Sequence, residues 1–208
     1  MVQEPVLVVL AAGRGSRFGG ATHKLEQPFG SSTVLGCTLS NAMQSGLPLV
    51  VVTTAALNDC VASVVAARDI VLVPEVGQDD SGLPLGMGYS IACGVSARAN
   101  AHGWLVLPGD MPLVEPATLR AVAAAMPQHP VVYAQYRGRR GHPVAFAAEI
   151  YSELVTLGGD EGARRLIGRY PAHGVDVEDA GVLMDLDTGD DLERMRAFEV
   201  SRSGAQLA

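Results

Sequence analysis

The chain has 208 residues, of which 48% are hydrophobic and 18% are charged, and its formal net charge is −7. This length suits one compact domain with a sizeable core, which we assign to residues 1–200, followed by a small, polar and flexible tail at residues 201–208. The negative charge argues against broad binding to nucleic acid or to an anionic membrane.

The cysteines and the first residues indicate the compartment. No CxxC pair is present among the three well-separated cysteines, which argues against a zinc site or a disulfide framework: Cys37, Cys60 and Cys93. Residues 1–5 lack the basic region of a signal peptide, and the apolar runs are too short to span a membrane. We therefore expect a cytoplasmic protein.

The first half of the chain alternates short apolar runs with longer segments of helical pattern. The apolar runs predict buried strands at residues 6–10, 49–53, 70–73 and 104–107. Helices are predicted at residues 34–45, 57–67 and 88–99. This alternation predicts βαβ units and a parallel sheet, with the loops that follow the strands along one edge, where such sheets bind ligands.

The second half has fewer distinct signals. A helix is predicted at residues 115–126, and two strands at 131–136 and 143–147 are joined by residues 137–141. Residues 162–170 predict a helix that Asp160 starts, and residues 190–200 predict the last helix.

A glycine-rich loop with the sequence LAAGRGSRFGG follows the first predicted strand at residues 10–20. Glycines let the backbone approach a phosphate chain with its amides exposed, and nearby arginines and a lysine add positive charge. A triphosphate needs both features, so we predict a nucleotide-binding site that comprises Leu10, Ala11, Ala12, Gly13, Arg14, Gly15 and Lys24, with Arg17 beside it.

Two common phosphate-binding motifs fit this loop poorly. A dinucleotide fingerprint requires GxGxxG, but the third glycine here comes one residue late, at Gly19, and Thr53 and Thr54 stand where the acidic ribose partner is expected. A Walker A loop requires Gly-Lys-Ser/Thr, which is absent. The remaining alternative is a glycine-rich turn with solvated arginines.

Together with Lys24 and Leu25, the loop resembles the signature LAAGxGxRFG…KL of the molybdenum-cofactor nucleotidyltransferase-like family, and most closely its cytidylyltransferase branch. The resemblance covers nearly the whole chain, because further motifs follow in the same order. It implies a three-layer α/β/α Rossmann-like nucleotidyltransferase fold with a mostly parallel central sheet, and Mg²⁺ as the cofactor. It also implies catalytic roles for Lys24, Arg17 and Asp110.

Asp110 lies in the segment LPGDMP, which follows a predicted strand and is similar to the family's GDMP motif. Magnesium prefers one or two carboxylates together with phosphate oxygens and water, so Asp110 is a suitable ligand. The alternative is a turn residue that caps the helix near Glu115.

A second carboxylate is expected from the segment MDLDTGDDL at residues 184–192, which is similar to the family's DxDTPxDL motif. Asp185 and Asp187 alternate, so both point to one face if the segment is extended. We predict Asp185 as the second metal ligand and Asp187 as the close alternative. An acidic helix start is the alternative for Asp187 and the preferred interpretation of Asp190 and Asp191.

The segment LPLGMGYS at residues 83–90 is similar to the family's GMGxS loop. The resemblance implies contacts to the nucleobase and ribose from Gly86, Met87, Gly88 and Ser90, although an ordinary loop before a helix is the alternative. Family members with LAAG in the first loop tend to use CTP and those with LAGG tend to use GTP. Ala12 therefore favours CTP, since its methyl group leaves less room for a purine.

Two further segments resemble motifs of the cytidylyltransferase branch, RGHP at residues 140–143 and GDxGAR at residues 159–164. The resemblance implies an acceptor site in which Arg140 and Arg164 bind the terminal phosphate of a pterin. His142 either donates a hydrogen bond there or packs a turn.

The expected reaction is transfer of CMP from CTP, or of the corresponding group from another NTP, to a phosphorylated pterin, whose product serves a molybdenum hydroxylase. We expect no nucleic-acid or membrane partner. The first alternative is a transferase that uses GTP or a sugar phosphate. The second is a non-catalytic protein that binds and delivers molybdenum cofactor. A nicotinamide dehydrogenase is disfavoured by the missing ribose acid.

Overall fold

The structure is a computed structural model that describes residues 4–13, 15, 18, 22–75, 77, 85–159 and 162–206, of which residues 203–206 are described by their backbone only. Its strands are β1 (Val6–Ala11), β2 (Pro28–Phe29), β3 (Ser32–Thr33), β4 (Leu49–Thr53), β5 (Ile70–Leu72), β6 (Gly103–Pro108), β7 (Val131–Tyr136), β8 (Arg139–Ala147) and β9 (Ala172–Asp176). Its helices are α1 (Val34–Gln44), α2 (Asn58–Ala62), α3 (Met87–Ser96), α4 (Pro116–Ala125), α5 (Tyr151–Leu154), α6 (Arg164–Arg169) and α7 (Gly189–Gln206). Among the described helices, none combines the length and the apolar character needed to cross a membrane.

Within the described residues, seven strands form one sheet in the order β5-β4-β1-β6-β8-β7-β9. The pairs β1–β4, β1–β6, β4–β5 and β7–β9 are parallel. Strand β8 runs antiparallel to both of its neighbours, β6 and β7. The sheet is therefore mostly parallel, as predicted, and β2 and β3 form a separate two-stranded hairpin.

Helices cover both faces of this sheet, which confirms the predicted three-layer α/β/α fold. Val9 of β1 is fully buried in a cluster with residues of α1, α2, α4 and α7. Its neighbour Val8 is fully buried on the other face, in a cluster with residues of α3, α5 and α6. Successive side chains of a strand point to opposite faces, so a strand covered on both sides must be apolar throughout. This explains the continuous apolar run of β1.

The prediction of a five-residue connection between β7 and β8 is wrong. Strand β8 begins at Arg139, so the two strands are joined by a two-residue turn, Arg137-Gly138. Both turn residues have positive φ, 49° and 75°, as a type I′ turn requires, and this turn matches the twist of antiparallel strands. As a result, Arg140, Gly141 and His142 belong to a strand and not to a loop.

Two predicted helices have different lengths in the structure. The helix predicted at residues 57–67 is shortened to α2, and at its end the hydroxyl of Ser63 donates to the carbonyl of Cys60 (2.7 Å), a bond that competes with those of the helical backbone. The last helix continues to Gln206, into the segment that we assign to a flexible tail. The predicted start of the helix α6 at Asp160 lies outside the described residues, and α6 itself begins at Arg164.

The start of α7 has a reciprocal cap. The Oδ2 atom of Asp191 accepts from the backbone amide and the hydroxyl of Thr188 (2.7 Å each), and the Thr188 hydroxyl oxygen accepts from the amide of Asp191 (3.2 Å). The hydrogen bond from the Thr188 side chain is the main reason that the pKa of Asp191 is lowered, to about 2. The predicted acidic helix start is thus confirmed for Asp190 and Asp191, which both lie in the first turn of α7.

Candidate active site

An open cavity of about 670 Å³ lies at the carboxyl ends of β1, β5 and β6. Parallel strands place their following loops at this edge, so the cavity joins segments that are far apart in sequence. Most of the predicted site residues line it: Leu10, Ala12, Gly13, Gly15, Lys24, Gly86, Met87, Ser90, Asp110, His142, Arg164, Asp185 and Asp187.

Hydrogen bonds to backbone carbonyls hold the first part of the glycine-rich loop. The Leu10 carbonyl accepts from the amide of Gly109 (2.8 Å), and the Ala11 carbonyl accepts from the hydroxyl of Thr53 (3.3 Å). These bonds connect the ends of β1, β4 and β6, which places the loop beside Asp110. Arg14 and Arg17, which we predict to bind phosphate, lie outside the described residues.

His23 is a loop-supporting residue that the sequence analysis misses. Its Nδ1 atom accepts from the amide of Leu25 (3.2 Å), so the network assigns the proton to Nε2, which donates to the Gly13 carbonyl (2.9 Å). The imidazole thereby joins the glycine-rich loop to the turn that carries Lys24. Sequence alone offers no signal for this role, because an isolated histidine in a loop has many uses.

Lys24 lies at the centre of the charged end of the cavity. Its Nζ atom donates to Asp110 Oδ2 (2.5 Å) and to the carbonyl of Leu186 (2.7 Å), and lies 3.6 Å from Asp187 Oδ1. The side chains of Lys24 and Asp110 are only 13% and 14% exposed. The aliphatic part of Lys24 passes over Gly15, where an added Cβ would lie 3.0 Å from Lys24 Cγ and where φ is +61°. Gly15 therefore leaves room for the lysine as well as adopting a left-handed turn.

Helix α1 holds the loop that carries Asp110. The Thr38 hydroxyl lies 3.0 Å from the Gly109 carbonyl, and the Asn41 amide donates to the carbonyl of Pro112 (2.9 Å). Asp110 does not cap helix α4, since Asp179 accepts from the Glu115 amide instead (2.8 Å). The Oδ1 atom of Asp110 is buried and has no hydrogen-bond partner among the described residues.

The segment with Asp185 and Asp187 has no regular secondary structure and lies beside Asp110. Leu186 is fully buried in the core, and its amide donates to the Asp110 carbonyl (3.2 Å). Asp185 and Asp187 both line the cavity. This agrees with the alternation of the two residues, which predicts that their side chains point to one side. Asp187 is the one that lies near Lys24, whereas the charge of Asp185 acts on His142. Both predicted carboxylates thus reach the charged end of the cavity.

His142 faces this cavity from strand β8. Burial lowers its pKa, and the charges of Asp110 and Asp185 act in the opposite direction without outweighing burial. The Nδ1 atom is buried and has no hydrogen-bond partner within the described chain. A buried nitrogen without a partner is unusual in a folded protein, and it belongs here to a residue that lines the cavity.

The three residues predicted to bind the acceptor are not all brought together. Arg164, at the start of α6, lines the cavity with His142. Arg140 is exposed and does not line the cavity; its guanidinium lies over the ring of Tyr133 at 5.7 Å. Strand β8 carries both Arg140 and His142, and Arg140 lies two positions nearer to the hairpin turn and further from the cavity.

Two residues predicted to bind nucleotide also lie away from the cavity. Ala11 is fully buried in the core cluster on the α1 face of the sheet, whereas its neighbours Leu10 and Ala12 pack against the cluster on the other face. Gly88 packs against another loop, where an added Cβ would lie 2.5 Å from the Gly158 carbonyl oxygen, and its amide donates to the Gly159 carbonyl (2.9 Å). In the structure both residues therefore support the cavity wall through packing and do not line the cavity.

The cavity also includes residues that the sequence analysis does not single out. Pro74 and Glu75 follow strand β5, and Tyr89 lies in the first turn of α3. A position just after a predicted parallel strand is a signal that could have identified Glu75. Within the described parts of the chain, no three His, Cys, Asp or Glu side chains are grouped so as to hold a metal ion.

Gly141 is expected to tolerate no side chain. A Cβ at this position would lie 2.1 Å from the carbonyl oxygen of Val182, a backbone atom that cannot rotate away. We expect Gly141→Ala to lower the free energy of unfolding by about 1–3 kcal/mol. Urea denaturation measures this change. Gly168→Ala is the control, because the glycine is exposed within α6 and an added Cβ has nothing within 4 Å. Equal stability of the two variants would contradict the steric explanation.

A family model and solved structures both show similarity to this chain over most of its length. Residues 7–175 match the MobA-like NTP transferase domain. The fold is similar to that of Rv0371c from Mycobacterium tuberculosis H37Rv, with a TM-score of 0.78 and 32% sequence identity over 93% of this chain and 98% of that chain. A second structure of Rv0371c, a complex with manganese, has a TM-score of 0.72 and 31% identity over 93% of this chain and 98% of that chain.

Curated relatives are similar over part of their length. The bifunctional protein GlmU of Halorhodospira halophila is 35% identical over 118 residues, which are 57% of this chain and 24% of GlmU. The purine catabolism protein PucB of Bacillus subtilis is 32% identical over 116 residues, which are 53% of this chain and 56% of PucB. The chain thus spans less than two thirds of either relative. The domain match, in contrast, extends over most of this chain and includes Lys24, Asp110 and His142, and the chain belongs to the MobA-like NTP transferase family.

Proposed function

We propose that the chain is a magnesium-dependent nucleotidyltransferase that transfers CMP from CTP to molybdopterin or molybdenum cofactor and releases pyrophosphate. The observation that carries this proposal is the contact of Lys24 with Asp110 and Asp187 beside the glycine-rich loop. These residues combine a phosphate-binding cation with oxygen ligands for a metal at one edge of a parallel sheet. Membership of the MobA-like NTP transferase family supports the reaction class.

In the proposed reaction, an oxygen of the acceptor's terminal phosphate attacks the α-phosphorus of CTP. The bond from the α-phosphorus to the bridging oxygen breaks, and pyrophosphate leaves with the electron pair. The acceptor phosphate is already anionic, so no protein nucleophile is required. Lys24 and the amides of the glycine-rich loop bind the phosphates, and Arg14 and Arg17 add positive charge. Catalysis then depends on positioning and on electrostatic stabilisation.

Asp110 is proposed to hold Mg²⁺ with Asp185, or with Asp187 as the alternative. The buried, unpartnered Oδ1 atom of Asp110 fits this role, because it can accept a cation without giving up a bond to the described protein. When bound, Mg²⁺ neutralises charge on the α-phosphate and on pyrophosphate. The manganese complex of Rv0371c supports a divalent cation in a similar fold.

The choice of CTP rests on Ala12, which lines the cavity together with Leu10. The proposed nucleobase site comprises Ala12 and the start of α3, where Gly86, Met87 and Ser90 line the same cavity. A methyl group in place of hydrogen reduces the depth available to a base, which favours the smaller pyrimidine. GTP or a sugar phosphate as an alternative substrate would keep the same catalytic residues.

The acceptor is proposed to bind on the side of His142 and Arg164. Arg164 supplies positive charge for the terminal phosphate, and His142 supplies a buried nitrogen to hydrogen-bond the acceptor. Arg140 does not line the cavity in the structure, and its guanidinium lies over the ring of Tyr133. The product would serve a molybdenum hydroxylase, and a non-catalytic carrier of molybdenum cofactor is the alternative from another class.

The test is release of pyrophosphate from CTP, GTP, ATP and UTP with Mg²⁺ and with molybdenum cofactor, or its metal-free precursor, as acceptor. We expect release with CTP, and we expect Ala12→Gly to admit GTP. Release with another NTP alone would keep the reaction class and overturn the base assignment. Tight binding of the cofactor without release from any NTP would favour the carrier. If neither pyrophosphate release nor binding of the cofactor were observed, sugar phosphates would be the next acceptors to test.

A further inference from the structure

We propose that Lys24 competes with the divalent cation for the same oxygen atoms, so that the metal binds tightly only when nucleotide phosphates draw the lysine away. This inference rests on the proposed function and concerns the order in which its site is filled. It predicts that a nucleotide-free enzyme keeps its metal site occupied by its own ammonium group.

The contacts of Lys24 resemble those of a bound cation. An ammonium group has three N–H donors, and the Nζ atom of Lys24 has three oxygen neighbours: Asp110 Oδ2 at 2.5 Å, the Leu186 carbonyl oxygen at 2.7 Å and Asp187 Oδ1 at 3.6 Å. Carboxylate and carbonyl oxygens are also the protein ligands that hard divalent cations take. The ammonium therefore lies among the carboxylate and carbonyl oxygens that a divalent cation would need as ligands.

Charge and burial make simultaneous occupancy unfavourable. The side chains of Lys24 and Asp110 are 13% and 14% exposed, so water screens a second cation poorly. A divalent cation that binds Asp110, with either Asp185 or Asp187 as its second ligand, would lie close to the ammonium, which is 2.5 Å from Asp110 Oδ2, and would repel it. Asp110 retains one buried oxygen, Oδ1, that no described residue satisfies, so the carboxylate keeps an unused acceptor even when Lys24 is in place.

The surroundings of Lys24 allow the lysine to move towards phosphate. Its stem lies against Gly15, in the glycine-rich loop that is proposed to bind the triphosphate. Lysine has a flexible four-carbon stem and a compact charge, so its ammonium can change partners by rotation about side-chain bonds. A triphosphate at this loop would offer the ammonium new anionic oxygens and would release Asp110 from its ion pair with Lys24. Nucleotide would then raise the affinity for metal, and metal would raise the affinity for nucleotide by the same factor.

The experiment measures binding of Mn²⁺ alone to the full chain, by electron paramagnetic resonance of free Mn²⁺, without nucleotide. We expect Lys24→Met to bind Mn²⁺ more tightly than the wild type by roughly tenfold or more. Lys24→Arg is the matched control, because it keeps the charge and is expected to bind Mn²⁺ as weakly as the wild type. The double variant with Lys24→Met and Asp110→Asn is expected to lose the gain.

Thermal unfolding gives a second readout that requires no activity. Lys24→Met leaves Asp110 without its cation, and Mn²⁺ is expected to raise the melting temperature of this variant more than that of the wild type. Lys24→Gln serves in the same tests if Lys24→Met does not fold. Equal Mn²⁺ affinity in the wild type and in the folded variant would overturn the proposal.

The outcome is separable from that of the proposed function. A gain of Mn²⁺ affinity in Lys24→Met, together with no pyrophosphate release from any NTP by the wild type, would support competition by Lys24 and contradict the nucleotidyltransferase. Pyrophosphate release by the wild type without such a gain would support the transferase and contradict the competition.

Discussion

Asp110→Asn is expected to reduce pyrophosphate release by roughly 10²–10³-fold or more, while the protein remains folded. The carboxylate is the partner of Lys24 and the proposed ligand of the metal, so the amide removes charge from both interactions without changing the size of the side chain. Helix α1 continues to hold the loop through Thr38 and Asn41, which contact backbone carbonyls and not the Asp110 side chain. The loss should therefore be catalytic and not structural.

Steady-state pyrophosphate release with a saturating nucleotide measures this effect, and near-ultraviolet circular dichroism checks the fold. Asp59→Asn is the control, because Asp59 is an exposed acid on α2 that does not line the cavity, and its activity should equal that of the wild type. Parallel measurements on Asp185→Asn and Asp187→Asn identify the second metal ligand as the one with the larger loss. Full activity of folded Asp110→Asn would eliminate the proposed metal ligand.

Asp179→Ala is expected to lower the free energy of unfolding by about 3 kcal/mol. Asp179 is only 4% exposed, and its carboxylate accepts from the Glu115 amide (2.8 Å), the Thr118 hydroxyl (2.7 Å) and the Gly181 amide (2.9 Å). It therefore caps the start of α4 and ties it to the segment that leads to Asp185 and Asp187. Alanine would leave buried donors without an acceptor, which costs more than the lost bonds alone.

Chemical denaturation at neutral pH measures the change. Asp176→Ala is the control, because the exposed Asp176 accepts one hydrogen bond from the Gln135 side chain (2.9 Å), and its loss should change the free energy of unfolding by only about 0.5 kcal/mol or less. If both variants were equally stable, the cap would have no measurable role. If Asp179→Ala lost activity without losing stability, the residue would act on the site and not on the fold.

Much of the fold was predictable from hydrophobic patterning. The apolar runs at β1, β4 and β6 predict strands covered on both faces, and Val8 and Val9 lie fully buried on opposite sides of the sheet. The apolar pattern does not indicate the beginning of strand β8, since its first residues are polar and exposed. Its beginning depends on a two-residue turn with positive φ at Arg137, which is an unusual residue for that conformation.

The candidate site was predictable as a set of segments but not as a set of contacts. Glycine content, the carboxylates after a strand and the alternation of Asp185 and Asp187 indicate which segments meet, because the ends of parallel strands share one edge. The sequence predicts the same acceptor site for Arg140 and His142, yet only His142 lines the cavity in the structure. The difference depends on how far each position of β8 lies from that edge.

By itself, the sequence determined a mostly parallel α/β sheet, its glycine-rich loop and the carboxylates near it, because periodicity and strand ends are local properties. Only the tertiary structure decided the partners. Lys24 binds Asp110, 86 positions away, and Asp179 caps a helix that begins more than sixty positions earlier. Such pairs depend on packing between α1, α4 and the sheet, which no local pattern encodes. The fold therefore follows from local regularity, and the contacts of the site follow from long-range packing.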